Sequence, residues 1–422
     1  MLPRLQILQV GDVHLPGAAR SPRPVDAKDQ RFPAELRNLI SAPPTKRVFE
    51  AIYKVLETEN IMALLFMGDL TDIGELPGYQ ACALYIRNAL QLGPGDEFED
   101  TFTGIVPGNH DISRELAKEP DAATKFEPLQ RALADAGLNR LPVSRAIWID
   151  RQNGPAAVKI GLLNSCWGCG AREYIPLEFR EAVFGAIESA ISAGRDEGAI
   201  RAYYDRQFDT PAFSDETITE LANLASQSSE LLVVAAHHNI LPQRLPRLAP
   251  YTELVNSGAI RATLMDLARP VLYLHGHIHE DPVEILQVPG GEPLVCISAP
   301  EAKVGFNLLE LIFTKVGLPL SVRIVPWRFN DSGILRPSKS ILISLIGTRQ
   351  RAHSRTLPQI YALLLQSHPM YSDDLLKAAE SVFTQDVEGQ LEEAIETLFS
   401  DGRVTINNYD LAKPSWIIGA SL

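Results

Sequence analysis

The chain has 422 residues, 45% of them hydrophobic, and a formal net charge of -13. That length accommodates one large domain of roughly 300 residues and a smaller one, and the acidic balance argues against a surface that grips nucleic acid indiscriminately. The longest apolar candidates, Ile61 to Met67 and Leu231 to Ala236, are strand-sized and fall short of the ~18 to 20 residues that cross a bilayer.

In chain order, MLPRLQILQVGDVH runs straight into Asp12 and His14, which leaves no room for a cleavable signal peptide. A soluble cytoplasmic protein with no membrane partner is the expectation. Short continuous apolar runs follow at Leu5 to Val10, Ala63 to Met67, Gly104 to Val106, Val158 to Leu163, Leu231 to Ala236 and Val271 to Leu274. Such runs suit strands buried on both faces of an α/β architecture. Helical spacing of apolar residues marks Lys46 to Glu59 and Tyr79 to Leu90 between them. After His279 the runs Val283 to Val288, Leu294 to Ser298, Phe306 to Phe313 and Leu320 to Trp327 are joined by Gly and Pro turns. They read as an antiparallel run forming a second sheet behind the first.

Two segments read as insertions: 16 to 44, rich in Pro, Arg and Asp, and 166 to 211, largely helical, with Arg172, Arg180, Arg195, Arg201 and Arg206 along it. Either could arch over the site, although for any single arginine a solvated helix face is the plainer reading. The large domain is expected to span 1 to 329, followed by a linker at 330 to 340 and a small module at 341 to 422. In that module, helical stretches at Leu357 to Gln366, Ser372 to Phe383 and Val387 to Phe399 precede an Asp401-Gly402 turn and a short strand at Val404 to Ile406. This outline loosely resembles a winged-helix module. Its third helix, VEGQLEEAIETLF, is acidic where a recognition helix would carry Lys and Arg, so protein contact or self-association is favoured over DNA reading.

Four cysteines, Cys82, Cys166, Cys169 and Cys296, are too few for a disulfide scaffold in a chain this long. The spacing of Cys166 and Cys169 raises a redox pair or half of a zinc site. A second C-x-x-C is absent and the other two cysteines lie in apolar runs, so an inert pair is the favoured reading.

Each of the first apolar runs is followed at once by polar or ligand-type residues, and five clusters stand out. These are Asp12-x-His14, Gly68-Asp69, Gly108-Asn109-His110-Asp111, His237-His238 and Gly276-His277-x-His279, and they hold seven of the nine histidines once His275 is included. Ligands on loops at the carboxyl ends of neighbouring strands are where an open α/β sheet binds. Residues two apart on an extended segment point the same way, which would aim Asp12 with His14, and His277 with His279, into one small volume.

The order, spacing and context of these five motifs resemble the calcineurin-like metallophosphoesterase superfamily, from about Leu5 to Phe329. The resemblance implies a β-sandwich flanked by helices in four layers, holding two divalent ions (Mn, Fe, Zn or Ni). Position by position, it makes Asp69 the bridging ligand, gives Asp12, His14 and His279 to the first metal, and gives Asn109, His237 and His277 to the second. It makes a metal-bridging hydroxide the nucleophile and His110 the general acid. Asp72 and Asp111 are candidates to orient or charge-stabilise His110, and His238 and His275 are taken as supporting or packing residues. Asn239 stands where the family commonly has Pro, which changes the adjoining loop.

Gly-Asp-Leu-Thr-Asp with Gly-Asn-His-Asp is most similar to the branch containing class III cyclic-nucleotide phosphodiesterases. Leu15, Ile73 and Asp111 break the pattern of the protein phosphatases in the same superfamily. A phosphodiesterase acting on a nucleotide-like or other small phosphodiester is the leading expectation. A DNA or RNA nuclease of the SbcD-like group is the alternative, and a regulatory or scaffold protein using its C-terminal module is a further one.

Overall fold

The computed structural model describes residues 2–15, 43–71, 74, 76–113, 115–170, 181–182, 210–224, 230–242, 254–288, 291–346, 356–367 and 369–421. Nearly all of both expected insertions, with the five arginines of 166 to 211, lies outside the described residues, and so does Asp72.

Strands β1 (Arg4–Val10), β2 (Ile61–Phe66) and β3 (Phe102–Ile105) run parallel in a 7-stranded sheet. The sheet continues antiparallel from β1 into β10 (Gly305–Phe313) and β11 (Pro319–Phe329), and both β12 (Leu335–Pro337) and β13 (Ile341–Ser344) pair with β11. A 6-stranded sheet has the order β4 (Ile147–Asn153), β5 (Ala156–Leu162), β6 (Leu231–Ala235), β7 (Val271–His275), β9 (Leu294–Ser298), β8 (Val283–Leu286). In it β5, β6, β7 and β9 are parallel.

The expected division of strands between sheets is therefore corrected. The six buried runs do not share one sheet; three go to each. The later strands do not form a sheet of their own either, since β10 and β11 extend the first sheet while β8 and β9 complete the second. A fully buried run such as β9 carries no alternation from which its partner could be read.

Alternation assigns the layers. Ala63, Leu65 and Met67 face the second sheet and meet Val233, Ala235, Leu272, Leu274 and Ile297 there. Leu64 and Phe66 face the opposite way, onto helices α1 (Pro43–Thr58), α2 (Leu76–Leu90) and α3 (Glu127–Asp135). On the far side, Leu232, Val234, Val271 and Tyr273 pack against α4 (Asp215–Asn223) and α5 (Ser257–Asp266). The result is helix, sheet, sheet, helix. Buried Gln9 crosses between the sheets, donating through Nε2 to the carbonyls of His275 (3.2 Å) and Ile297 (2.9 Å). It thus ties β1 to β7 and β9 beside the loops that carry the motifs.

Residues beyond the sandwich fold around a core of their own, built from Ile360, Leu364, Leu375, Leu391, Ile395, Leu398, Trp416 and Ile418 among others. The order is α6 (Leu357–Gln366), β14 (Met370–Tyr371), α7 (Ser372–Ala379), α8 (Val387–Ser400), β15 (Val404–Asn407), β16 (Ile417–Ala420), with the strands ordered β14, β16, β15. Helix α8 packs against β11 and β13. No helix among the described residues is long and apolar enough to cross a membrane.

Leu65→Ala, which empties space between the sheets, should cost about 2 to 5 kcal/mol in a urea titration. Leu365→Ala, on the exposed side of α6, should change stability by no more than about 0.5 kcal/mol. Equal losses would contradict the placement of Leu65.

Candidate metal centre

Each motif lies just past the carboxyl end of a parallel strand: Asp12 and His14 after β1, Asp69 after β2, Asn109 to Asp111 after β3, His237 and His238 after β6, His277 and His279 after β7. The two sheets present these ends on the same side of the sandwich. His237, buried after β6 of the second sheet, is 3.4 Å through Nε2 from Asp69 Oδ2 and 3.5 Å through Nδ1 from Asp12 Oδ1, both in the first sheet's loops.

Hydrogen bonding places the proton on one nitrogen of His237. Nδ1 lies 2.7 Å from the carbonyl oxygen of Met67, to which it donates. Nε2 then turns a lone pair toward Asn109 Oδ1 at 3.0 Å and Asp69 Oδ2 at 3.4 Å. Burial lowers the His237 pKa, which keeps the ring neutral, so three acceptors converge with no proton between them. The same pattern recurs beside it. His279 presents Nδ1 to Glu301 Oε1 at 3.4 Å, and its Nε2 lies 3.3 Å from Asp12 Oδ2 and 3.4 Å from His14 Nε2. Asp69 Oδ2 touches both groups, being 3.7 Å from His14 Nε2 as well. His277 joins through its backbone N–H, which donates to Asp12 Oδ2 at 3.0 Å, and through its ring, 5.0 Å from that of His237.

The backbone is strained to achieve this. Of the seven non-glycine residues with positive φ among the described residues, four are His14, Asp69, His277 and His279. Each such conformation costs about 1 to 3 kcal/mol and persists only where its surroundings enforce it. Here the reading by alternation is corrected: the two-residue spacings converge through left-handed bends, with φ of 65° at His277 and 58° at His279, and not along extended segments. Gly108 is required by close approach, since a Cβ there would lie 2.1 Å from Asp69 Oδ1. Gly68, at φ 94°, would bring its Cβ to 2.6 Å from the Gly108 nitrogen.

Electrostatics points the same way. Burial, and next the charge of Asp69, pushes the Asp12 pKa well above the usual carboxylate range. Burial acts on Asp69 too, but the imidazoles of His237, His110 and His14, to the extent that they carry a proton charge, and the His110 N–H outweigh it and hold that carboxyl below the usual range. No Lys or Arg pairs with either carboxylate among the described residues. Two buried acids and a ring of nitrogen and oxygen lone pairs, with no fixed cation, form a donor set that fits two divalent ions.

The remaining expected residues lie around this set. His110 is partly exposed, its ring 5.1 Å from and edge-on to that of His14, and its backbone N–H donates to Asp69 Oδ1 at 2.9 Å. The Asp111 carboxylate is buried and accepts from Leu70 N (2.9 Å) and Gly108 N (3.0 Å), tying the loop after β2 to the turn after β3. Burial, then Asp69, pushes it up to about 7 against those two donors. His238 is buried with Nδ1 2.9 Å from Ser165 Oγ, and Tyr273 donates to its carbonyl at 2.7 Å. His275 ends β7 in the core, where burial pushes its pKa down to about 4. Buried Asn239 donates to the Leu241 carbonyl and shapes the loop after His238.

The sequence reading missed Glu301 and Ser165. A signal existed for both. Glu301 follows β9 and Ser165 follows β5, parallel strands whose carboxyl ends open on the same side as the other motifs.

Residues 5–162 match the family model described as calcineurin-like phosphoesterase, a stretch holding three of the five motifs. The family resemblance read from the motifs is thereby borne out over residues 5–162. No curated protein sequence matches the chain. Among solved structures, a dimetal phosphatase from Danio rerio is 11% identical at a TM-score of 0.47, covering 81% of this chain and 99% of that one. The purple acid phosphatase from yellow lupin seeds is 11% identical at 0.45, covering 84% and 56%. GAP50 of Plasmodium is 11% identical at 0.40, covering 82% and 90%.

Because the Asp12 carboxyl is raised in the metal-free protein and must ionise to bind a cation, metal uptake should release protons. Affinity should therefore climb as pH rises through that pKa. Calorimetric titration in buffers of different ionisation heat measures the release; pH-independent affinity would contradict it. Gly108→Ala should lose metal through the clash with Asp69, read as metal content after dialysis.

Proposed function

We propose that the chain is a dinuclear metal-dependent phosphodiesterase acting on a nucleotide-like or other small phosphodiester. The observation that carries the reading is the single oxygen, Asp69 Oδ2, held against His237 Nε2 on one side and His14 Nε2 on the other. Asp12, His14, Asp69 and His279 would hold one ion, and Asp69, Asn109, His237 and His277 the other. When bound, such ions neutralise phosphoryl oxygens and make water nucleophilic at neutral pH.

The chain's own residues do the rest. His237 and His279 are fixed by the Met67 carbonyl and the Glu301 carboxylate, so their Nε2 atoms stay aimed inward. His110, partly exposed at the rim, hands a proton to the departing oxygen, which is what a poor leaving group needs. Asp111 holds the turn on which His110 sits through Leu70 N and Gly108 N.

Gly-Asp-Leu-Thr-Asp and Gly-Asn-His-Asp support a phosphodiester over a phosphoprotein, because they depart from the protein-phosphatase pattern at Ile73 and Asp111. A nuclease would draw on the arginines of 172 to 206, which lie outside the described residues. The helix that would read a groove, α8, is turned inward with Glu392 and Glu396 buried, and this favours the smaller substrate.

His110→Ala should keep both ions and lose about 10²- to 10⁴-fold in turnover on alkyl phosphodiesters, with a smaller loss on bis(p-nitrophenyl) phosphate, whose leaving group needs little protonation. Asp69→Ala should lose metal and activity together. Wild-type rates in either variant would rule out these roles, and a metal-loaded wild type that hydrolyses phosphomonoesters but no phosphodiester would overturn the substrate class.

A further inference from the structure

A second donor cluster lies on the loop after β5, where Cys166 and Cys169 close a tight turn, the Cys169 N–H donating to the Cys166 carbonyl at 3.0 Å. Both thiols are buried, and so is His238 beside them. One donor atom from each of the three lies within 4.8 Å of the other two, and Cys166 Sγ stands 3.8 Å from His238 Nδ1. Ligands of a tetrahedral zinc ion, with bonds near 2.3 Å to sulfur and 2.0 Å to nitrogen, sit roughly 3.5 to 3.8 Å apart.

The surroundings suit thiolates. Buried Lys125 donates from Nζ to the carbonyls of Trp167 (2.5 Å) and Cys169 (2.7 Å), which sets a positive charge against the turn. An oxygen for a fourth position is at hand in Ser165 Oγ, 2.9 Å from His238 Nδ1. None of the three residues belongs to the ligand set around Asp69.

We propose that Cys166, Cys169 and His238 bind one zinc ion, a structural site separate from the dinuclear centre. The pair of thiols alone would suit a redox couple equally; His238 is the third donor that turns the pair into a metal site. On binding, the two thiols release their protons to solvent and the imidazole binds neutral. The ion pins the loop after β5 to the loop after β6 and so fixes the chain neighbour of His238, the ligand His237.

Cobalt(II) titrated into the full-length, chelator-stripped and reduced protein tests this. Sulfur ligation gives an intense near-ultraviolet charge-transfer band, and the Asp, Asn and His centre contains no sulfur, so failure of one site is distinguishable from failure of the other. At saturation the band should have the intensity of one sulfur-ligated cobalt per chain, be displaced by zinc, vanish in Cys169→Ser and persist in Cys296→Ser. No band in folded wild type, a band indifferent to Cys169→Ser, or thiols recovered as a disulfide would overturn the proposal. The wild-type spectrum decides even where Cys169→Ser does not fold.

Discussion

Two carboxylates with almost no access to water, Asp12 and Asp69, are held against the imidazole of His237. Placing like charges together in a low-dielectric interior is costly unless a cation lies between them, and much of the surrounding structure reads as what keeps them there. Left-handed backbone at His14, Asp69, His277 and His279 aims the donors inward. Gly108 leaves room for the Asp69 carboxylate to press against the next turn, and Asp111 stitches those two turns together from beneath. Gln9 fastens one sheet to the other next to the loops that meet at the site.

The two sheets matter because neither could assemble the centre alone. Asp12, His14, Asp69 and Asn109 come from loops of the first sheet, and His237, His277 and His279 from the second. The apolar contact of Leu65 and Met67 with Ala235 and Leu274 therefore sets the distance between two half-sites. Charge helps fasten the C-terminal unit to the first sheet: Arg4, at the start of β1, lies 3.7 Å from buried Glu396, which accepts from Tyr409 at 2.8 Å, and Arg323 of β11 reaches both Glu310 and Asp410. Two of the acidic residues of the third helix thus have basic partners inside the protein, Glu396 with Arg4 of the sheet and Glu392 with Lys413.

Much of this was legible in the sequence. The residues around Asp69 could be named because each follows a short buried apolar run, and that juxtaposition needs no knowledge of pairing. What pairing decides was not legible. A run buried on both faces, as in β9, looks the same whichever sheet takes it, and once β9 was placed in an antiparallel layer, Glu301 at its end drew no notice. Convergence at His277 and His279 was read from alternation, whereas the chain uses left-handed bends that no residue type there announces. His238 as a neighbour of Cys166 was invisible because the two are 72 positions apart in the sequence, while β5 and β6 lie side by side.

The central claim is that Asp69 lies between two ions. Crystals grown with manganese and measured at its absorption edge test it directly: the account predicts two anomalous peaks about 3.5 to 4 Å apart, with the Asp69 carboxylate between them. A single peak, or peaks away from Asp69, would contradict it.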